Sequence, residues 1–455
     1  MTAVNTTTMA AAVAFQFEWA WVDDAVAEGV RVVVDGSGLI CAVETGARPE
    51  PGDVRLRGVI LPGFANAHSH AFHRALRGRT HAGGGTFWTW REQMYRLAGV
   101  LDPDAYRRLA TAVYAEMALA GMTAVGEFHY VHHDPSGRPY ADPNAMGSAL
   151  IEAARAAGVR LTLLDTCYLT GGIGAPLDGV QRRFGDADAD AWADRVAALK
   201  STVAADPGHT VVGAAVHSVR AVPPEQLPVV AAAPVSETAL HVHLSEQPAE
   251  NDESLAAYGR TPSRVLADAG VLGPATTAVH ATHLARADIA DLAATDTAAC
   301  FCPTTERDLA DGIGPAPALR DAGVSLVLGS DQHAVIDMFE EQRAVELDER
   351  LASGRRGTFG LAELVRMATA EGHRRLGRHD VGRLAPGFRA DLVAVRTDTV
   401  RTAGAAPDQV MFAASAADVA TVVVNGQVIV EDGHHVLGDV GALLTAAIRE
   451  LEDTA

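Results

Sequence analysis

Four short clusters, far apart in the chain, carry residues able to converge on one metal ion. They are His68-Ser69-His70, His243-Leu244-Ser245-Glu246, His280-Ala281-Thr282-His283 and Gly329-Ser330-Asp331. Each follows a short apolar run that reads as a strand. Two histidines separated by one residue on a strand point the same way, so both can reach one ion. Nitrogen donors with a carboxylate suit zinc or a similar divalent metal. The chemistry that needs such a set is hydrolysis by metal-activated water, with ligands, a proton shuttle and an electrophile in one place.

The clusters differ in what they offer. His68 and His70 end an apolar run over 58–61 and open a loop, the context of metal ligands. His241 and His243 share a strand face, and the strand end favours His243 as the ligand. Glu246, three residues on, falls in the loop above and can take a proton from bound water. The alternative for it is a solvated loop carboxylate. Of His280 and His283, the first lies closer to its strand end and is preferred for polarising substrate or water. Asp331 can bind metal or accept a proton; a buried carboxylate with neither role would be costly to desolvate. His73 and His81 read as pocket-wall or surface residues. His129-Tyr130-Val131-His132-His133-Asp134 resembles a further metal cluster, but its spacing does not complement the other ligands, so substrate contact and loop hydrogen bonding are expected. Arg91 and Arg220 sit where loops would enclose a pocket, and arginine forks suit carboxylates; the alternative is surface charge.

The elements that must position these groups alternate. Apolar runs over 211–216, 239–244, 277–280 and 325–329 are separated by alanine-rich helical stretches such as 106–120 and 144–157. That alternation implies a parallel sheet with crossover helices. Roughly eight such units favour a closed (β/α)8 barrel of the TIM type, with chemistry at the C-terminal strand ends. Both chain ends favour short strands instead: 31–34 before Asp35-Gly36, 391–395, and 421–430 with Asn425-Gly426 at a hairpin turn. The expected organisation is a β-sandwich part over 1–60, a catalytic barrel over 61–380 and a second β-sandwich part over 381–455, the two ends forming one small domain.

Composition narrows the partners. Of 455 residues, 48% are apolar and 21% charged, which suits a large core. Lys plus Arg number 37 against 57 Asp plus Glu, for a net charge of −20. With no basic stripe, nucleic acid and anionic membranes are excluded as expected partners. An anionic substrate needs local arginines working against the overall field. Four cysteines are too few for a disulfide framework, and Cys300-Phe301-Cys302 reads as neighbouring buried thiols, with a metal pair as the alternative. No basic residue precedes the apolar run within residues 1–14, and no apolar run reaches membrane-spanning length, so a cytoplasmic enzyme is expected.

These motifs resemble the amidohydrolase superfamily and, within it, the formiminoglutamate deiminases. The resemblance runs from about Leu61 to about Leu376. It rests on Asn66-Ala67-His68-Ser69-His70-Ala71-Phe72, Phe87-Trp88-Thr89-Trp90-Arg91-Glu92, Glu127-Phe128-His129-Tyr130-Val131-His132-His133, His217-Ser218-Val219-Arg220-Ala221-Val222, Val279-His280-Ala281-Thr282-His283, and Thr305-Glu306 with Asp311-Gly312-Ile313. It implies one divalent metal ion per chain, zinc by preference, held by His68, His70, His243 and Asp331. It implies Glu246 and His280 as the acid/base pair, with Asp331 beside them, and Arg91, Tyr130 and Arg220 around a dicarboxylate amidine; His73, a pocket-wall residue, is added to that substrate-binding group. The implied reaction is attack of metal-bound hydroxide on the formimidoyl carbon of N-formimino-L-glutamate, releasing ammonia. His73, Gln332 and Arg307-Asp308 depart from the family pattern, where Gln, Ser, and a small residue followed by Asn are expected. A nucleobase or other aromatic aminohydrolase would want a carboxylate-free pocket, and a non-catalytic scaffold barrel would be expected to lose ligands. A homodimer is compatible with the fold.

Overall fold

The computed structural model describes residues 12–81, 85–204, 206 and 208–454; the reading of residues 1–11 falls outside them. Eight parallel strands form the barrel. They are β1 (Phe64–Ser69), β2 (Met122–His129), β3 (Arg160–Cys167), β4 (Thr210–Val216), β5 (Leu240–Leu244), β6 (Thr276–His280), β7 (Ala298–Phe301) and β8 (Leu326–Leu328). They neighbour one another in sequence order, and every pairing is parallel. A single parallel bridge, Ser69 to Asp331, joins β8 back to β1. Nearly every residue of these strands is buried. Parallel strands covered on both faces read as continuous apolar runs, which is why the runs were visible in the sequence.

The crossover helices carry recognisable ends. Pro103–Leu119 starts with Pro at its first turn, and the Asp102 side chain accepts from Ala105 N at 2.8 Å. Ala145–Ala157 stops at Gly158, whose φ of 74° is the left-handed conformation that glycine adopts freely.

The two chain ends meet in one eight-stranded mixed sheet. Its order is His434–His435, Gln427–Glu431, Val419–Val424, Leu392–Val395, Val54–Pro62, Val13–Val22, Ala25–Val34, Ile40–Glu44. The hydrogen bonding is thus continuous from N-terminal to C-terminal strands, with Leu61 opposite Val393. Phe15, Phe17, Val32, Ile60, Leu392 and Val423 form a core of its own. Asn425 and Gly426, at φ 54° and 77°, turn the C-terminal hairpin as their sequence predicts. A buried fork ties sheet to barrel: Arg160 on β3 donates to both oxygens of Asp391, at 2.8 and 2.9 Å.

Candidate metal centre and active site

The strand ends that carry the predicted residues have unusual backbone. Ser245, His280, Ala281, Asp331 and His333 all have positive φ, between 42° and 67°. Non-glycine residues held there cost on the order of 1–3 kcal/mol each, and such strain collects at functional sites. Here it turns β5, β6 and β8 sharply at the barrel mouth.

His68, His70, His243 and Asp331 converge. The His68 and His70 Nε2 atoms lie 3.3 and 3.4 Å from Asp331 Oδ1, and His68 Nε2 lies 3.2 Å from His243 Nε2. Zinc–nitrogen bonds of about 2.0–2.1 Å in a tetrahedron place ligand atoms about 3.3 Å apart, which is this spacing. Two tautomers are fixed from behind. His70 Nδ1 donates to the Phe128 carbonyl at 2.9 Å, and His243 Nδ1 donates to that of His217 at 3.0 Å. Both Nε2 lone pairs therefore face the cluster, as metal-ligating histidines require. Burial lowers His68 to about 3 and His70 to about 4, so both are neutral bases. Burial opposes charge on Asp331, but the His68 bond and the nearby His280 and His70 hold it well below the usual carboxylate range. Neutral imidazoles around an ionised carboxylate form a donor set that fits a divalent cation.

Glu246 and His280 stand beside this set, with His280 Nε2 at 3.8 Å from Glu246 Oε1. Burial raises Glu246. His280 is also raised, because Glu246, Glu306 and Asp331 outweigh the burial that opposes its charge. A cation in the cluster would counter that pull. Glu306 was not singled out for a role by the sequence; its Oε1 lies 3.5 Å from His280 Nδ1 and accepts from Cys302 N at 2.8 Å. Asp311 is likewise buried near Glu246 and His280, and is pushed up to about 9, chiefly by burial.

A cavity of about 220 Å³ opens over the cluster. Its wall includes His70, His73, His243, Glu246, His280 and Asp331, together with Arg91, Tyr130 and Arg220; donor atoms of His70, His73 and Asp331 lie within 4.8 Å of one another. His73 Nε2 and the Tyr130 hydroxyl are 3.0 Å apart. Arg91 lies over the Tyr95 ring, 5.4 Å from its centroid. Arg220 Nε donates to Glu250 at 3.3 Å, a buried carboxylate that no motif announced.

Other expectations sort cleanly. His241 turns away from the cluster and bonds the Arg375 carbonyl at 3.2 Å. His283 bonds the Asp311 carbonyl at 2.8 Å, and His81 pairs with Asp308 at 2.7 Å. Cys300 and Cys302 are buried free thiols. From the 129–134 segment only Tyr130 reaches the cavity. His132 and His133 bond the carbonyls of Thr166 and Gly185, each at 3.0 Å, so hydrogen bonding holds for them and substrate contact does not. Gln332 and Asp308, both departures from the family pattern, bond each other at 2.8 Å.

Comparison with known proteins agrees with this geometry. The amidohydrolase family profile matches residues 59–429. A formimidoylglutamate deiminase of Pseudomonas aeruginosa is 37% identical over 424 residues, covering 90% of this chain and 92% of that protein. A 5-methylthioadenosine/S-adenosylhomocysteine deaminase of Pelotomaculum thermopropionicum is 29% identical, covering 90% of each. Among solved structures, an amidohydrolase from Brucella melitensis superposes with a TM-score of 0.90 at 33% identity, covering 97% of this chain and 100% of that one. The profile and the extent of these matches lead to one conclusion: the chain belongs to the amidohydrolase family.

Proposed function

We propose that the protein hydrolyses N-formimino-L-glutamate to N-formyl-L-glutamate and ammonia. The observation that carries this reading is one cavity whose wall includes His70, His243 and Asp331 of the cluster, Glu246, and two arginines, Arg91 and Arg220. A nucleobase carries no carboxylate for guanidinium forks at the cavity wall to bind; a dicarboxylate does, and it needs such local help against a net charge of −20. The 37% identity to a formimidoylglutamate deiminase supports the same substrate.

His68, His70, His243 and Asp331 would hold the ion, zinc by preference. When bound, it supplies Lewis acidity and lowers the pKa of water toward 7. The chain's own groups do the rest. Arg91 and Arg220 take the substrate carboxylates, with Tyr130 and His73 beside them, and so orient the formimidoyl carbon toward the cluster. Glu246 accepts the proton of the attacking water and returns it to the departing nitrogen. The C=N electron pair moves to the terminal nitrogen, which Glu246 protonates, and His280 hydrogen-bonds the hydroxyl that the attacking water leaves on the tetrahedral carbon. Carboxylates held at the arginines leave the terminal nitrogen beside Glu246, so ammonia departs and the substituted nitrogen stays in the formyl product. The same reading places the enzyme in the cytoplasm; among the described residues no helix is long and apolar enough to cross a membrane.

The test is mass-spectrometric product analysis after complete turnover, with formiminoglutamate, formiminoaspartate, guanine and cytosine as competing substrates. The expected products are ammonia and N-formylglutamate. Formamide with free glutamate would overturn the orientation, and preference for a nucleobase would overturn the substrate class.

A further inference from the structure

The seam between β1 and β8 carries three of the four candidate ligands, His68, His70 and Asp331, and very little strand pairing. β2 and β3 share six paired positions from Ala124–Arg160 to His129–Asp165, whereas β8 meets β1 only at the Ser69–Asp331 bridge. The seam is tight. A Cβ on Gly329 would lie 2.7 Å from the His68 Cβ. Its backbone contribution is small: Ser330 and Asp331 N–H donate to the His68 carbonyl at 3.1 and 3.0 Å, and His70 N–H to that of Asp331 at 3.1 Å.

Side chains supply the rest. Asn66, Ser330, His333, Ser69 and Glu127 are each fully buried and bonded in a row that crosses the seam. Both ends fix the direction of that row. Asn66 Oδ1 accepts from Ser330 N at 2.9 Å, so its amide nitrogen must be the group donating to Ser330 Oγ at 2.7 Å. At the far end Glu127 accepts from Ala71 N and from the Ser69 hydroxyl, both at 2.7 Å. Ser69, having given its proton to Glu127, must accept from His333 Nε2 at 3.2 Å. His333 Nδ1 is then a bare acceptor, filled by the Ser330 hydroxyl at 2.9 Å. Every donor in the row points the same way, from Asn66 to Glu127.

We propose that this one-way row is the positioning device of the metal centre. It clamps the middle residue of the His68–His70 pair to the residues flanking Asp331, and so sets the spacing of three ligands across the barrel's least paired seam. The proposal rests on the metal-centre reading above. Glu127 and His333 are positioning residues in it, with no contact to substrate.

The experiment compares wild type with Glu127→Gln and Ser69→Ala. Gln keeps the shape but must accept from Ala71 with its oxygen, which turns its amide N–H2 against the Ser69 proton and breaks the direction. Zinc affinity is measured by chelator competition, melting is followed on the metal-free chains, and 15N-histidine spectra report the His333 tautomer, assigned by its loss in a His333→Gln chain. Removing support behind metal ligands typically weakens binding ~10- to 100-fold. That fall in zinc affinity is expected for both variants, beyond any change in metal-free melting, and His333 should carry its proton on Nε2. Should Glu127→Gln fail to fold, Ser69→Ala decides. Zinc affinities within about twofold of wild type, or a proton on His333 Nδ1, would overturn the proposal. A wild-type chain that takes up no zinc would defeat the metal reading itself, and the positioning role with it.

Discussion

The barrel holds two buried groups of histidine and aspartate that look alike on paper. His68, His70 and Asp331 sit at the mouth with His243; His129, His132 and Asp165 sit where β2 and β3 end. In each, donor atoms of three residues crowd within 4.8 Å: His68, His70 and His243 at the mouth, and His129, His132 and Asp165 in the other. In both, burial lowers a histidine to about 4, His70 in one and His132 in the other. The difference is what already occupies the carboxylate. Asp165 accepts two bonds from Arg195 at 2.9 Å and one from the Trp192 indole at 3.1 Å, and His132 gives its Nε2 to the Thr166 carbonyl. The second group contains its own cation. The first meets only imidazoles and faces a cavity. Proximity of donors alone does not make a metal site; the mouth group adds a carboxylate with no guanidinium on it and lone pairs oriented from behind, which is what the proposed centre requires.

The largest effect should come from the mouth group. Replacing His68 and His70 together with Ala should take metal from about one ion per chain to none and abolish turnover, measured by elemental analysis and ammonia release. Two ions per wild-type chain would break the comparison by making the Arg195 group a metal site as well. Next, Glu246→Gln should lower kcat by ~10²- to 10⁴-fold with metal content retained, because proton transfer is lost while the ligands stay.

Arg195→Met should leave metal content unchanged and destabilise the fold by about 3–5 kcal/mol, since it strands a buried carboxylate. Its pH dependence sharpens the point. Burial opposes charge on Asp165, yet Arg195 holds it at about 2, below the ordinary 3.8. A lowered folded-state pKa contributes stability at pH values above 3.8, lost as pH falls toward 2, and worth about 2 kcal/mol here. The variant should lose that acid resistance, with its unfolding midpoint moving to higher pH in an acid titration followed by circular dichroism. The smallest effect on turnover should come from Arg220→Met, which should cut kcat/KM by ~10- to 150-fold, the worth of one charged hydrogen bond, with zinc content close to wild type and melting lowered because the buried Glu250 loses its partner. An unchanged kcat/KM would remove Arg220 from the substrate wall.

What the sequence made legible was local. Period-two spacing put His68 and His70 on one face, strand ends picked His243 and His280, and Asn425-Gly426 announced its hairpin. What stayed hidden depends on distant partners. Arg195 and Asp165 are 30 residues apart, Glu250 lies 30 residues beyond Arg220, and Glu306 reaches His280 only after a further crossover. The 129–134 segment misled for a related reason. Substrate contact is expected of it, but β2 runs on to His129, and neighbouring carbonyls capture His132 and His133. No spacing rule reports which carbonyl lies within reach.

The mixed sheet bears on how the chain is made. Val54–Pro62 pairs on one side with Val13–Val22, close in sequence, and on the other with Leu392–Val395, more than three hundred residues later. During synthesis the N-terminal strands emerge first, yet one long edge of Val54–Pro62 has no partner until the whole barrel has been translated. Arg160 waits as long for Asp391. Contacts of such sequence separation form late and slowly, and an open strand edge is where nascent chains associate wrongly. The closing step of folding is therefore the docking of the C-terminal strands, which seals an edge the chain has carried since its first sixty residues.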